Sequence, residues 1–206
     1  MAQLPRTQKE RLAYDATMVW EADWDTFLDL LEADPYPMQY DKGQIYSFLD
    51  YATLKHEELI PLIISALFPL LERKNYRIFG SNLPLSIPGP GKIYFNADCT
   101  VVKGPSEHIP LRGEMKAITN PVMLVEVLSE STYDFDLGQK FQRYKTIPSL
   151  QQVLYIDSQS PSVISYRRKD QEGTWLIEEF TGLEGAVPVL EEGTFSLKAL
   201  YEPLEL

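Results

Sequence analysis

The chain has 206 residues, 44% of them hydrophobic and 24% charged, a composition that gives one globular domain with a sizeable core. Its net charge of −11 argues against tight, non-specific adhesion to a phosphate backbone. No apolar run reaches the roughly 20 residues of a membrane helix, and the opening MAQLPRTQKE lacks the apolar core of a secretion signal. The single cysteine, Cys99, excludes an internal disulfide, so the expectation is a cytoplasmic protein with no membrane partner.

Taken in order, residues 1–22 read as an N-terminal arm with Tyr14, Val19 and Trp20 as anchors, and residues 23–206 as a single α/β domain. Residues 23–34 set Phe27, Leu28, Leu30 and Leu31 among acids, with Asp23 or Asp25 placed to cap a short helix that Pro35 and Pro37 end. Residues 39–51 read as a hairpin turning at Lys42-Gly43, with Ile45, Tyr46, Phe48 and Leu49 in the return strand. Residues 54–74 carry Leu59, Leu62, Ile63, Leu67, Leu70 and Leu71 near a 3.6-residue period, a long buried helix in which Pro61 and Pro69 predict kinks or restarts. Short strands are predicted over 76–79 and within 81–91, a clear strand over 92–102, and a surface loop over 104–119.

Residues 120–157, NPVMLVEVLSESTYDFDLGQKFQRYKTIPSLQQVLYID, are the most ordered stretch of the pattern. A hydrophobic run over 122–128 suits a buried strand, a polar turn follows at 129–132, an amphipathic helix is predicted over 134–146, and a second strand over 153–156. Strand, helix, strand at this spacing is a βαβ unit or a close relative. Beyond it, 163–168 and 175–180 pair as a hairpin, 187–190 gives a short strand and 196–201 a helical turn.

Two acids interrupt apolar strand segments. Glu126 lies inside the 122–128 run and Asp98 inside IYFNADCTVV. Buried charges need a partner or a metal, and two carboxylates at neighbouring strand ends suit a hard divalent cation with water completing the shell. The plainer reading is that each is hydrogen-bonded at a strand edge. Lys140 stands on the predicted helix with Asp136 four residues before it. It either forms an i,i+4 pair worth a few tenths of a kcal/mol or turns over the strand end, where an ammonium can orient water and stabilise phosphoryl charge. Arg143, Lys145, Arg167, Arg168 and Lys169 are the cations near these elements and candidates for phosphate contact, with solvated surface charge the plainer role for most of them.

Other chemistry lacks its pattern. His56-Glu57 has no second histidine at zinc-protease spacing, Asp134 and Asp136 do not open a calcium loop, Gly91-Lys92 lacks the upstream glycine of a phosphate loop, and Cys99 reads as core.

The 120–157 stretch, preceded by NADCTVV, resembles the Uma-two family of restriction-endonuclease-like proteins, within the PD-(D/E)xK nuclease superfamily. The likeness is close over 92–168 and looser over 24–75, where Asp41-Lys42-Gly43-Gln44 and His56 occupy the places of an acidic hairpin turn and a helix-opening histidine. It implies an α/β fold with a restriction-endonuclease-like mixed central β-sheet flanked by helices, and a site that hydrolyses nucleic-acid phosphodiesters, DNA first among them, with Mg²⁺ or Mn²⁺. Asp98 matches the motif aspartate, Glu126 the motif acid, and Lys140 a helix lysine standing in for the motif lysine. Ala97 departs from the superfamily proline, and Leu128 holds the position of the usual lysine. The Val127 carbonyl is a further metal-ligand candidate. So is Glu57, because related nucleases draw a glutamate from such a helix; an exposed first-turn acid favoured by the helix dipole is the alternative. Related nucleases dimerise to cut both strands, so a homodimer is possible. The rival expectation is a non-catalytic binding or regulatory module that keeps the fold, which the −11 charge favours.

Overall fold

The computed structural model describes residues 4–14, 17–33, 36–48, 53–170 and 172–204. In chain order its elements are α1 (Gln8–Arg11), β1 (Met18–Glu21), α2 (Trp24–Ala33), β2 (Gln39–Asp41), β3 (Gln44–Ser47), α3 (Leu54–Leu71), β4 (Tyr76–Phe79), β5 (Pro84–Ser86), β6 (Ile93–Asn96), β7 (Cys99–Lys103), β8 (His108–Pro110) and β9 (Lys116–Ile118). There follow β10 (Pro121–Leu128), a π-helical turn (Phe135–Lys140) running into α4 (Phe141–Tyr144), β11 (Gln152–Asp157), β12 (Ser162–Arg168), β13 (Trp175–Thr181), β14 (Ala186–Val189), β15 (Gly193–Ser196) and α5 (Leu197–Tyr201).

These elements form large mixed sheets flanked by helices. Six strands lie in the order β13-β12-β11-β10-β7-β4, with β10 and β11 parallel and the other neighbours antiparallel. Seven more lie in the order β1-β3-β2-β6-β5-β9-β8, and β14 pairs with β15. The apolar run over 92–102, expected as one strand, is two. The chain leaves the seven-stranded sheet after Asn96 and enters the six-stranded one at Cys99, so Ala97 and Asp98 form the joint.

Side-chain alternation along β10 explains the two main cores. Met123, Val125 and Val127 pack with Leu59, Ile63, Leu67 and Leu71 of α3. Leu124 and Leu128 face the other way, against Phe141 and Tyr144. Each fully buried leucine or isoleucine of this kind contributes about 1.5–3 kcal/mol. A third cluster sets Phe27, Leu28 and Leu30 of α2 on Trp20, Tyr40, Ile45 and Tyr94.

Several expectations are refined. Asp23 is the cap of α2, its Oδ1 accepting the Thr26 N–H at 2.7 Å; the predicted end of that helix at Asp34 and Pro35 lies outside the described residues. The β2–β3 turn falls at Lys42-Gly43, with φ of 49° and 97°, the two positive values of a tight hairpin turn; Leu49 and Tyr51 also lie outside the described residues. Helix α3 is continuous through Pro61 and Pro69, because both prolines and the residues four positions upstream, Glu57 and Ser65, sit on its exposed side. The freed carbonyls there reach water, and no kink is forced. The 104–119 segment is not wholly a loop: β8 and β9 lie in it, and Ala117 and Ile118 are buried. Part of the arm is structural, since β1 pairs with β3 and Arg11 is buried, donating to Ser47 Oγ at 2.7 Å. No helix among the described residues is long and apolar enough to cross a membrane.

Candidate active site

The site lies where β6 parts from β7. Strand β7 pairs with β10 only as far as Cys99 opposite Val125. Past that point the Asp98 carboxylate replaces the missing strand, and its Oδ2 accepts the Val127 N–H at 2.7 Å. The same oxygen lies 3.4 Å from Nε2 of His56.

Glu126 points to the face of β10 that the π-helical turn covers. Its side chain is 3% exposed and both oxygens are engaged: Lys140 Nζ lies 2.8 Å from Oε2, and the Tyr144 hydroxyl donates to Oε1 at 2.6 Å. Lys140 also donates to Asp136 Oδ1 at 3.0 Å. Asp136, Lys140 and Tyr144 are spaced by four, so two successive turns of helix deliver all three to Glu126. A second bond set fixes that helix to the seven-stranded sheet: Asp41, buried in the β2 hairpin, accepts from Arg143 Nε at 3.0 Å and from Gln139 Nε2 at 2.8 Å.

Burial pushes the Glu126 carboxyl up to about 8; Lys140 opposes this, while Asp136 and Asp98 add to it. Burial pulls the Lys140 ammonium down, but Asp136 and Glu126 outweigh it and hold the group above its ordinary value. The two directions have one cause. A single buried ammonium faces two carboxylates, with the charge of Asp98 nearby, so the site is short of positive charge. A proton on Glu126 or a bound cation supplies it. For His56, burial lowers and the carboxylates of Asp98 and Glu57 raise, with a net rise.

Asp98, Glu126, Val127, Asp136, Lys140 and His56 line one cleft of about 660 Å³. The structure therefore brings together Asp98, Glu126, Val127 and Lys140. It does not bring Glu57, whose side chain is 63% exposed and lies 3.4 Å from the outer ring nitrogen of His56. The group from α3 that reaches the site is His56, placed in the first turn by the Thr53 cap. Helical period carried that signal: His56 shares a face with Leu59 and Ile63, which are buried, whereas Glu57 shares one with exposed Pro61. Arg143 and Arg167, candidates for phosphate contact, are paired with Asp41 and Glu178. Arg168 caps carbonyls of Leu150, Lys145 and Ile147.

Among the described residues no three His, Cys, Asp or Glu side chains converge to enclose an ion. The carboxylates of Asp98 and Glu126 that line the cleft are oxygen donors, the ligand type that hard divalent cations take.

The family model described as "Putative restriction endonuclease", Uma2, matches residues 24–198. The chain belongs to the Uma2 family. It is 37% identical over 120 residues to "Uncharacterized protein sll1609" of Synechocystis sp., a match covering 58% of this chain and 66% of that one, just under two thirds. It is 32% identical over 166 residues to "Uncharacterized protein slr1290" of the same organism, covering 75% of this chain and 83% of that one. The crystal structure of a "putative nuclease belonging to DUF820" from Anabaena variabilis superposes with a TM-score of 0.66 at 20% identity, over 88% of this chain and 98% of the other, which establishes a shared fold with this Uma2 member.

Proposed function

We propose that this Uma2 chain is a metal-dependent nuclease that hydrolyses phosphodiester bonds in nucleic acid, with DNA as the expected substrate. The observation that supports it best is the meeting of Asp98, Glu126 and Lys140 at one cleft, with a buried charge balance that lacks a cation. Asp98 and Glu126 would hold Mg²⁺ or Mn²⁺, and the ion, when bound, supplies Lewis-acid stabilisation of charge on the phosphoryl oxygens. The N–H and C=O of one strand residue leave on the same edge, so the Val127 carbonyl faces the edge on which Asp98 lies and is the third oxygen donor. His56 steadies Asp98 from α3. Lys140 fixes the Glu126 carboxylate; an ammonium has three donors, and the one not given to Glu126 or Asp136 is left for water or a phosphoryl oxygen entering the cleft.

The test is Mn²⁺ titration calorimetry on the full chain, paired with cleavage of labelled oligonucleotides. Metal binding and metal-dependent cleavage, both lost in Asp98→Asn, are expected. Metal-independent cleavage, or none with metal bound, would overturn the catalytic reading. The second outcome would favour the non-catalytic module, which the pairing of Arg143 and Arg167 with acids already supports. A homodimer, which cutting of both strands would favour, is checked by light scattering in solution.

A further inference from the structure

We propose that the β2–β3 turn, the loop before β6 and the end of α4 form a docking surface for the phosphate backbone of a nucleic acid, with Lys42, Lys92 and Lys145 as its contacts. This deepens the nuclease reading and rests on it for the identity of the partner.

The first observation is where acid is missing. The chain carries 30 acids in 206 residues, yet none falls within 42–49, 73–97, 137–156 or 158–169. Parts of all four runs meet at one corner. The Lys42 N–H donates to the Lys92 carbonyl at 2.9 Å. Arg143 Nε donates at 3.0 Å to Asp41, the residue before Lys42. Thr146 Oγ1 lies 3.4 Å from the Pro88 carbonyl oxygen, and Arg168 donates to the Lys145 carbonyl at 2.9 Å.

The second observation is which charge at this corner is left over. Asp41 is buried and neutralises Arg143, and Arg168 is spent on main-chain carbonyls. Lys42, Lys92 and Lys145 are exposed and form no ion pair with the described residues. Glu21 and Asp23 bound the corner on the β1 side, where Ala22 N–H meets the Gly43 carbonyl, and Asp170 and Glu172 bound it beyond Arg168. A positive corner on a chain of net charge −11 repels a second copy and attracts a polyanion. Three contacts make that attraction modest, as the overall charge requires.

The third observation is how Lys42 is held. Its φ of 49° is left-handed, a conformation that asparagine, aspartate or glycine adopts at lower cost in such a turn. A Cβ added at Gly91 would come 2.9 Å from Lys42 Cγ, so glycine there lets the lysine stem lie against the loop that carries Lys92. Backbone strain kept at an exposed cation is explained by a use for its charge.

The surface continues from the cleft along two elements. Gln39 and Lys140 line the cleft. Lys42 is three strand residues past Gln39, about 10 Å, and Lys145 five helical residues past Lys140, about 7.5 Å. At about 3.4 Å per phosphate along a duplex strand, a backbone cut in the cleft reaches these lysines two or three phosphates away.

The experiment measures binding of the full chain to a labelled DNA duplex of about 20 base pairs by fluorescence anisotropy across a salt series. Wild type should give a log–log salt slope of about −3, three contacts at about 0.9 each. Lys42→Asn, Lys92→Gln and Lys145→Gln combined should weaken binding at least about tenfold at physiological salt and flatten the slope by about two to three. Arg73→Gln, Lys74→Gln and Lys198→Gln combined remove the same charge on the α3 and α5 side of the six-stranded sheet, opposite α4. They should leave affinity within about twofold, since separations beyond a Debye length are screened. Lys42→Asn alone should raise the urea midpoint while lowering affinity, a pair of signs that damage to the fold cannot produce. An equal loss in both triple variants, an unchanged slope in the first, or wild-type affinity in Lys42→Asn overturns the inference. Binding to phosphatidylserine vesicles but not to duplex overturns it as well. Mn²⁺-dependent cleavage with unchanged KM in the first triple variant overturns it while leaving the nuclease reading intact. Slope and affinity that depend on the three lysines, without cleavage by wild type, support it while removing the catalytic reading.

Discussion

Tyr144 donates to Glu126 at 2.6 Å from a position four residues after Lys140, which holds the other carboxylate oxygen at 2.8 Å. One short helix thus grips both oxygens of a carboxylate buried in a neighbouring strand, and each grip can be released singly.

Tyr144→Phe removes the hydroxyl and leaves the ring against Phe95. A hydrogen bond to a buried carboxylate contributes about 1.5–3 kcal/mol, so urea unfolding above about pH 8, where burial leaves the Glu126 carboxyl ionised, should show a loss of that size. A loss near zero would mean that Glu126 finds another donor.

Lys140→Met should cost more than the few tenths of a kcal/mol of an exposed i,i+4 pair. At 3% exposure the residue is not a surface cation, and its removal leaves Glu126 and Asp136 facing each other without it. Stripping one partner from a buried ion pair costs about 3–5 kcal/mol. Adding Glu126→Gln should recover part of the loss, and the double-mutant cycle in urea unfolding measures the coupling. Cleavage by Lys140 variants must be compared at a temperature where they remain folded.

Burial holds the hydroxyls of Tyr155 and Tyr201 above the ordinary tyrosine value of 10.0. The unfolded chain therefore loses these protons first as pH rises, the native state binds more protons, and stability falls with pH above about 10. Below that the contribution is complete. The urea midpoint should be insensitive to these groups between pH 7 and 9 and should drop beyond about 10. Tyr201→Phe loses the bonds to the Asp157 and Ser162 carbonyls. It should be less stable at pH 7, with a shallower decline above 10.

The legible parts of this fold were those where one period governs one environment. The alternation over 122–128 and the spacing of Leu59, Ile63 and Leu67 each record a single buried face, and the structure has β10 and α3 there. What sequence could not give was set by contacts distant in the chain. The break at Ala97-Asp98 is invisible in an apolar run, because the two halves join different sheets. Strands β8, β9 and β15 are three or four residues long, too short for a period to show. Of the site, two acids in apolar strands stood out by their cost of burial. The place of Tyr144 in it, and that of His56, depends on which face each helix turns inward.

That last point separates Glu57 from His56. Both open α3, but Glu57 is 63% exposed and absent from the cleft lining, while His56 lies 3.4 Å from Asp98. If Asp98 is a metal ligand, Asp98→Asn should weaken Mn²⁺ binding by about tenfold or more, as loss of a ligand or its close support does. Glu57→Gln removes a charge in a solvated first turn, where the helix dipole is worth about 0.3–1 kcal/mol, and should leave Mn²⁺ affinity within about a factor of two. His56→Ala removes the group that steadies Asp98, so it should fall between the two, with the fold checked by a thermal melt of the variant. Titration calorimetry on the three variants reads the order directly. A loss in Glu57→Gln matching that in Asp98→Asn would restore Glu57 as a ligand and require α3 to turn on metal binding, a rotation that the packing of Leu59 and Ile63 against β10 opposes.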